Sequence, residues 1–491
     1  MINLLDIMVQ VFLFLLGTIA LVVVVLYVID RTQTKHAIRR NYPVIGRFRY
    51  LFESLGEFFR QYFFAMDREE LPFNRAERTW VYRAAKNNDN TTAFGSTRDL
   101  RPVGTVMFAN TMFPTLEEEN REITPLIIGP HTDHPFLHRY IFNVSGMSFG
   151  AVSVPALKAL TQGAKRAGIW LNTGEGGLSE HHLNAGGDIV FQIGTAKYGV
   201  RDDAGLLSEE RLREVASHEQ VRMFEIKISQ GAKPGKGGIL PAAKVTKEIA
   251  AVRKIPVGQA SMSPNRHIEI NSVPDILDFV NRIREITKKP TGFKTVMGSF
   301  GWLEELCELI NVRGSECAPD FITVDSADGG TGAAPMSLID NVGIPIRESL
   351  PKVVDTLSRF GLRDRIRVIA SGKMITPTGV AWAVCAGANF VVSARGFMFA
   401  LGCIQALQCN KNTCPTGITT HNKSLQRGLD PTDKAERVYQ YAMGIRKELA
   451  TIAHSCGVSE PRALRREHCR IVQADGASMP LDELYPYVQA A

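Results

Sequence analysis

Short apolar runs recur from about residue 139 onward, and each ends in a small-residue loop followed by an amphipathic stretch. The runs are rich in Val, Ile and Phe with little polar alternation, as in strands buried on both faces. They lie at 140–144, 169–172, 189–193, 223–228, 292–296, 321–324, 367–370 and 390–393, and helical patterns lie at 155–167, 242–253, 302–311, 348–360 and 377–386. This repetition predicts an α/β fold, a (β/α)8 TIM barrel. An open doubly wound sheet is the alternative, but no Gly-x-Gly-x-x-Gly turn follows any run.

The loops after these runs are rich in glycine, which lets backbone N–H groups approach a ligand closely. In a barrel, such loops meet at the carboxyl-terminal rim, and those after strands seven and eight commonly hold a phosphate. We therefore expect the loops at 371–373 and 394–396 to hold a cofactor phosphate. Lys227 lies near the end of the fourth run, where a buried lysine needs an anionic partner. A reduced flavin ring would supply one, and a lysine reaching out to solvent is the alternative.

The segment from Val11 to Ile29 contains no residue that is charged near neutral pH. As a helix it would be about 28 Å long, close to the hydrocarbon thickness of a bilayer. Basic residues without an acidic one follow between Arg31 and Arg49 and account for most of the net charge of +7, which argues against a nucleic-acid surface on the folded body. The pattern predicts a single-pass anchor in the inner or cell membrane with the catalytic domain in the cytoplasm. A cleaved signal peptide is the alternative.

Aromatic residues are concentrated at 50–64, close to the basic flank. A stretch of this kind can form a helix that lies in the membrane interface. Because no lysine-rich polar face accompanies it, we expect these aromatic side chains to belong to a protein core instead.

Three of the eight cysteines, Cys403, Cys409 and Cys414, are spaced C-x5-C-x4-C and followed by proline. Three thiolates in a short segment suit an iron–sulfur cluster, because soft sulfur ligands favour that chemistry. Structural zinc usually needs four ligands and closely spaced pairs. Three buried thiols without a metal are the alternative. The other five cysteines show no such spacing and are expected to be structural.

Residues from about Ile141 to His421 resemble the FMN-binding synthase domain of the glutamate synthase large-subunit family in order and spacing. The resemblance rests on Gly-Met-Ser-Phe-Gly at 146–150, Asn-Thr-Gly-Glu-Gly-Gly at 172–177, Glu-Ile-Lys at 225–227, Gln-Gly-Ala-Lys-Pro-Gly at 230–235, Asp-Gly-Gly-Thr-Gly at 328–332, and the cysteine segment at 402–415. It implies a (β/α)8 barrel that holds FMN and a 3Fe-4S cluster. It also implies a reaction in which ammonia adds to 2-oxoglutarate and the resulting 2-iminoglutarate is reduced to L-glutamate.

The resemblance also implies roles for individual residues. Cys403, Cys409 and Cys414 would ligate the cluster. The flavin and its phosphate would be bound by Met147, Ser148, Gln192, Lys227, Asp328, Gly329, Gly330, Gly372 and Arg395. The catalytic and substrate-binding residues would be Glu175, Lys227, Gln230, Lys233 and Arg253. A dianionic substrate would pair with Lys233 and Arg253, and Glu175 would relay a proton or accept a hydrogen bond from the imine nitrogen.

Three features depart from the family pattern. Full glutamate synthases begin with a glutaminase domain whose nucleophile is an amino-terminal cysteine, whereas residue 2 here is Ile and the first cysteine is Cys307. We therefore expect this chain not to hydrolyse glutamine, and to use free ammonia or ammonia from a separate glutaminase subunit. The family's carboxyl-terminal β-helix has no room after Cys414. Phe191 occupies a position where the family often has a lysine.

These observations predict a membrane-anchored glutamate synthase-type oxidoreductase that receives electrons from a partner, either ferredoxin or a flavoprotein subunit. Alternatives are a related enzyme that uses another amine, as an N-methylglutamate synthase would, one that oxidises an amino acid, and an electron-transfer subunit without turnover. The expected organisation is an anchor at 1–30, a juxtamembrane and N-terminal extension at 31–138, the FMN-binding barrel at 139–400, and an iron–sulfur segment with a helical extension at 401–491.

Overall fold

The computed structural model describes residues 3–488 and divides the chain into two compact units, one ending at Arg78 and the other beginning at Thr79. The larger unit is built on a closed ring of eight parallel strands that neighbour one another in sequence order. They are β1 Phe142–Val144, β2 Leu171–Asn172, β3 Ile189–Ile193, β4 Val221–Lys227, β5 Thr291–Val296, β6 Phe321–Asp325, β7 Arg367–Ser371 and β8 Phe390–Ser393. Strand β8 pairs with β1 and closes the ring, which confirms the predicted (β/α)8 barrel.

The amino-terminal end of the barrel is closed by an apolar core. Trp170, Phe321 and Phe390 lie near the beginnings of three strands and are almost fully buried. A hairpin of Leu126–Ile128 and Phe136–His138 covers this end, and Phe136 belongs to the same buried cluster. A ligand therefore cannot enter the barrel at this end. The open rim lies at the other end, where the carboxyl termini of the strands meet.

Helices of the larger unit fill the connections between the strands and extend the chain after β8. In chain order, the helices of the described residues are α1 Leu4–Thr32, α2 Ala37–Asn41, α3 Gly46–Phe59, α4 Arg75–Ala85, α5 Val154–Ala167, α6 Glu180–Leu183, α7 Glu209–Ser217, α8 Lys247–Arg253, α9 Val273–Thr287, α10 Gly301–Arg313, α11 Met336–Ile339, α12 Ile346–Arg359, α13 Pro377–Cys385, α14 Arg395–Ala400, α15 Lys423–Gln426, α16 Pro431–Ser455 and α17 Leu481–Leu484. The long helix α16 packs along α5, where Gly163 lies directly against Val438. This contact ties the carboxyl-terminal extension to the barrel.

Short elements complete the larger unit. A three-stranded sheet joins Val106–Phe108 to Cys469–Val472 and Ser478–Pro480, and a two-stranded sheet pairs Ile239–Leu240 with Ser261–Met262. The first sheet joins the segment that precedes the barrel to the carboxyl-terminal segment. The second lies within the long excursion between β4 and β5 that also carries α8.

The smaller unit contains the long apolar helix α1, whose mean hydropathy over its most apolar window is 3.0. Its length and composition are sufficient to cross a bilayer, and a signal sequence has the same properties. The helix extends beyond the predicted span from Val11 to Ile29 at both ends. Helix α3 continues into a π-helical turn, Arg60–Phe64. The expectation that the aromatic residues at 50–64 form a core is wrong, because Phe52, Phe59 and Phe63 are exposed.

Candidate functional site

Charged side chains converge at the carboxyl-terminal rim of the barrel. Lys227 ends β4, and its Nζ lies 3.0 Å from Oε2 of Glu175, which belongs to the loop after β2. Lys233 follows β4 in a tight loop and donates to the carbonyl of Ala333 at 3.1 Å. Arg253 ends α8 and donates through Nη2 to the carbonyl of Phe149 at 2.9 Å. Parallel strands bring these residues, distant in sequence, to one rim.

The electrostatics of this group show one carboxylate surrounded by cations. Burial acts to raise the pKa of Glu175, but Lys227, Lys233 and Arg253 outweigh it and hold that pKa below its usual value. Burial lowers the pKa of Lys233 to about 8, although Glu175 acts to raise it. Burial also lowers the pKa of Arg253. With all four groups charged, the cluster carries an excess of two positive charges.

Two polar atoms of this cluster lack hydrogen-bond partners within residues 3–488. Arg253 Nε and Glu175 Oε2 are buried without a partner, although Oε2 is close enough to Lys227 to form an ion pair. Gln230 bridges the rim, since its Oε1 lies 3.4 Å from Lys227 Nζ and its amide nitrogen donates to the carbonyl of Gly330. Unpartnered buried donors and acceptors are costly unless a ligand satisfies them.

The predicted flavin residues from the first three strands meet beside this cluster. The loop containing Met147 and Ser148 packs on Gly174, where a Cβ would lie 2.5 Å from Ser148 N. A Cβ on Gly146 would lie 3.1 Å from Gln192 Nε2. Gln192 donates to Glu225 at 2.7 Å. The two glycines therefore allow the loop after β1 to pack closely against the loop after β2 and the end of β3.

Glu225 was not predicted from the sequence. It is buried in the barrel interior, where its two carboxylate oxygens accept hydrogen bonds from Asn172, Gln192 and Thr323 at 2.6–2.8 Å. These three donors come from β2, β3 and β6, so the residue holds the amide of Gln192 in a fixed orientation. No local pattern distinguishes it, because the same strand also carries Arg222 and Lys227.

The predicted phosphate-binding residues converge in the loops after β6, β7 and β8. Gly372 has a φ of +123°, and a side chain there would collide with Ser326. The adjacent Lys373 pairs with Asp328 at 3.0 Å. A Cβ on Gly330 would lie 2.6 Å from Arg395 Nε, so this glycine is needed for the close approach of the guanidinium. Gly329 follows Asp328 in the same turn, which the Gly329 N–H closes by donating to Ser326.

The cysteine segment follows α14 in an irregular loop. Tyr82 donates to the carbonyl of Cys403 at 2.6 Å, and Gln405 N lies 3.4 Å from its sulfur. Burial raises the pKa of Cys409. Burial also acts to raise the pKa of Cys414, but hydrogen bonds with Thr416 and Thr419 outweigh it and lower that pKa. The surroundings of Cys414 therefore favour the thiolate, the form that binds metal.

No three of the His, Cys, Asp and Glu side chains of residues 3–488 are arranged to hold a metal ion, and the eight cysteines, all within this range, form no disulfide. A single ion requires all its ligands within one coordination sphere, whereas each thiolate of an iron–sulfur cluster binds a different iron atom. Three thiols in one short segment supply the donor type of such a cluster.

Lys244 connects the cysteine segment to the barrel rim, a role that no sequence pattern indicated. Its buried ammonium donates to the carbonyls of Cys409 at 2.8 Å and Ala151 at 3.2 Å. Burial lowers its pKa to about 8, while Cys409 and Cys414 act to raise it. A positive charge thus lies between the cysteines and the loop after β1.

A model of the conserved region in glutamate synthase matches residues 102–459, which include the barrel and the cysteine segment. The chain belongs to the glutamate synthase family. It is 38% identical to the glutamate synthase large subunit-like protein YerD of Bacillus subtilis, over 96% of this chain and 97% of that relative. It is 34% identical to an archaeal glutamate synthase [NADPH] of Methanocaldococcus jannaschii, over 67% of this chain and 61% of that protein.

Among solved structures, the recombinant flavin-binding domain of baker's yeast flavocytochrome b2 superimposes with a TM-score of 0.46 at 15% identity, covering 83% of each chain. This level of similarity carries no argument about function. Membership of the glutamate synthase family makes the protein an oxidoreductase that acts on the CH–NH2 group of donors.

Proposed function

We propose that this protein reduces 2-iminoglutarate, formed from 2-oxoglutarate and ammonia, to L-glutamate at a bound FMN, with electrons supplied through a 3Fe-4S cluster. The observation that carries the proposal is the rim cluster, in which Glu175 is surrounded by Lys227, Lys233 and Arg253. An excess of two positive charges at a buried position complements a dicarboxylate, because each carboxylate then has a cationic partner.

The cations have distinguishable tasks in this proposal. The guanidinium of Arg253 donates to the carbonyl of Phe149 and lies 5.0 Å from the centroid of the Tyr198 ring. Its Nε has no partner among the described residues and is therefore available to a carboxylate of the substrate. Lys233 would pair with the second carboxylate. Both charges orient the substrate chain and favour the dianion over neutral analogues.

Glu175 and Lys227 lie where proton movement is needed. Glu175 is ionised in the resting site, so it can accept a hydrogen bond from the imine N–H and hold that nitrogen in place. Lys227 Nζ, 3.0 Å away, can donate to Glu175 and would also be able to donate to the reduced flavin. Gln230 fixes the position of the lysine through its side-chain oxygen.

FMN would be held by residues beside this cluster. Gly146, Gly174 and Gly330 let the loops that carry these residues pack closely. Arg395 and Lys373, which is paired with Asp328, would supply positive charge for a phosphate. Reduced FMN supplies a hydride to an electrophilic carbon. Lys227 would stabilise negative charge on the ring, Gln192 would hydrogen-bond to its edge, and the apolar barrel end below would exclude water.

The three cysteines would hold the cluster, which supplies one-electron chemistry. Thr416 and Thr419 favour the thiolate of Cys414, and Lys244 places a cation beside the segment. This arrangement needs two partners. One is an electron-donor protein, either ferredoxin or a flavoprotein subunit, and the other is a separate glutaminase that supplies ammonia.

We also propose that α1 anchors the protein in the cell membrane as a single pass, with the domain limits expected from the sequence and the catalytic domain in the cytoplasm.

The decisive experiment reduces the purified full-length protein anaerobically and mixes it with 2-oxoglutarate together with ammonium or methylamine. We expect flavin absorbance to return only when the keto acid and an amine are both present, with L-glutamate as the product of ammonium. If N-methylglutamate forms preferentially from methylamine, then methylamine and not ammonia is the amine substrate. Arg253→Lys is the matched variant, since it keeps the charge and removes the fork, and we expect at least a tenfold loss in kcat/KM. Reoxidation by neither amine contradicts the proposal.

A further inference from the structure

Helix α3 carries an apolar stripe along its whole length. Phe48, Leu51, Phe52, Leu55 and Phe59 recur at intervals of three and four residues and therefore share one face. The π-helical turn that follows adds Tyr62, Phe63 and Phe64. The opposite face carries Ser54 and Glu57. This is the pattern of a helix that lies between an apolar and a polar phase.

The apolar stripe has no protein cover within the described residues. Phe52 is 65% exposed, Phe63 is 75% exposed, and Gly46 is the one buried residue of α3. Contiguous exposed apolar surfaces of this kind are rare on soluble monomers and indicate an interaction site. The same unit carries a second exposed apolar surface, that of α1.

The start of α3 is fixed to the end of α1. Asp30 lies in the last turns of α1 and is almost fully buried, and both of its carboxylate oxygens accept from the guanidinium of Arg47 at 2.8 Å. The same carboxylate accepts from the backbone N–H of Val44 at 3.0 Å. Gly46 packs on Ile38, where a Cβ would lie 2.9 Å from the carbonyl oxygen. The stripe therefore begins within one side-chain length of the point where the long apolar helix ends.

Charge distinguishes the bilayer from a protein as the occupant of this surface. From Arg31 to Arg49 the connecting segment and the start of α3 contain six Lys and Arg residues and no Asp or Glu. Arg47 is neutralised by Asp30, and each of the other five basic residues contributes about 1 kcal/mol of attraction when it lies near an anionic leaflet. The basic segment would lie among the lipid headgroups, with its arginines at the level of the phosphates. The apolar stripe that follows would lie against the acyl chains.

We propose that residues 46–64 lie in the plane of the membrane as an interfacial helix, with the apolar stripe in the acyl boundary of a leaflet containing anionic phospholipid. The inference rests on the proposed anchor, since α1 supplies the first membrane contact. The Asp30–Arg47 pair then sets the angle between the spanning helix and the interfacial one. The protein is then held at the membrane by two apolar helices, α1 and α3, whose relative angle is fixed by this ion pair.

The test is photocrosslinking in the full-length protein reconstituted into phosphatidylcholine vesicles with and without phosphatidylglycerol. Benzoylphenylalanine, an analogue of phenylalanine, replaces Phe52 or Phe59 on the stripe, Glu57 on the opposite face of the same helix, or Phe14 in α1. Lipid adducts are counted by mass spectrometry. We expect adducts at positions 14, 52 and 59, at least fivefold fewer at 57, and a yield at 52 that falls at least twofold without phosphatidylglycerol.

Failure of this inference is distinguishable from failure of the anchor. Adducts at position 14 with none at 52 and 59 would leave the anchor intact and overturn the interfacial helix. Protein–protein crosslinks at 52, to a second copy or a partner, would also overturn it. Equal yields at 52 and 57 would contradict the in-plane orientation. An absence of lipid adducts at position 14 would remove the anchor itself.

Discussion

Lys233 holds an ammonium group in a mostly buried position at the rim of the barrel. Its pKa of about 8 lies well below that of a lysine in water, because burial penalises the charge more than Glu175 compensates for it. Lys227 lies in the same cluster and also disfavours a second ammonium. At neutral pH the side chain is still charged, so the site is complementary to a dianion only over part of the accessible pH range.

We expect the dissociation constant of 2-oxoglutarate, measured by calorimetry on the oxidised protein, to be constant below pH 8. Above that pH it should rise by up to tenfold per unit, because the fraction of Lys233 that is protonated falls as pH passes its pKa. Lys233→Arg should remain flat to pH 10, since a guanidinium stays charged. A wild-type dissociation constant that does not change between pH 7 and 10 would show that the charge on Lys233 does not contribute to binding.

The site residues differ in how far the sequence could predict them. Glu175, Lys227 and Arg395 follow predicted strands, so barrel geometry alone places them at one rim. Glu225 and Lys244 could not be identified in this way, since their partners come from other strands or from a segment more than 150 residues distant. The importance of such residues depends on tertiary contacts that no local pattern records.

At the scale of elements, apolar runs predicted the strands closely. Strands Ile189–Ile193 and Phe390–Ser393 have the predicted limits, because turn residues bound these runs sharply. The prediction of one helix at 242–253 was too long, since the chain forms a 3-10 turn at Ala242–Lys244 before α8 begins at Lys247. Helix α9 was missed, although Ser272 and the spacing of its buried residues carry the signal.

Packing between α5 and α16 depends on one glycine. A Cβ on Gly163 would lie 2.7 Å from the carbonyl oxygen of Ala435, and backbone cannot move aside as a flexible side chain can. We expect Gly163→Ala to destabilise the larger unit by about 1–3 kcal/mol. The melting temperature measured by circular dichroism should fall by a few degrees.

Gly379→Ala in α13 is the matched control. The nearest atom to its added Cβ would be Met374 Sδ at 3.5 Å, an ordinary contact. Higher helix propensity should leave this variant as stable as the wild type or up to about 1 kcal/mol more stable. Equal melting temperatures for the two variants would mean that α5 and α16 separate without cost, and would contradict the tight contact.

On the scale of the whole molecule, the two units differ in how far they bury their apolar side chains. The larger one buries its apolar side chains in a barrel, whereas the most apolar window of α1 is entirely unburied. Exposed surface of this extent is stable in a bilayer and not in water. The sequence could predict this long apolar helix, because an uninterrupted apolar segment needs no tertiary information to recognise.

An anchor that spans the membrane makes a prediction about the full-length protein. Ala20 lies near the centre of the apolar segment, and Ala20→Arg should disfavour insertion by about 2.5–3.5 kcal/mol. We expect the wild type to remain in membranes washed with alkaline carbonate and the variant to be released in substantial part. Thr34→Arg, beyond the end of α1, is the matched control and should stay bound. Release of a wild-type protein that lacks its first residues would instead identify a cleaved signal peptide, because the apolar segment would then have been removed after directing export.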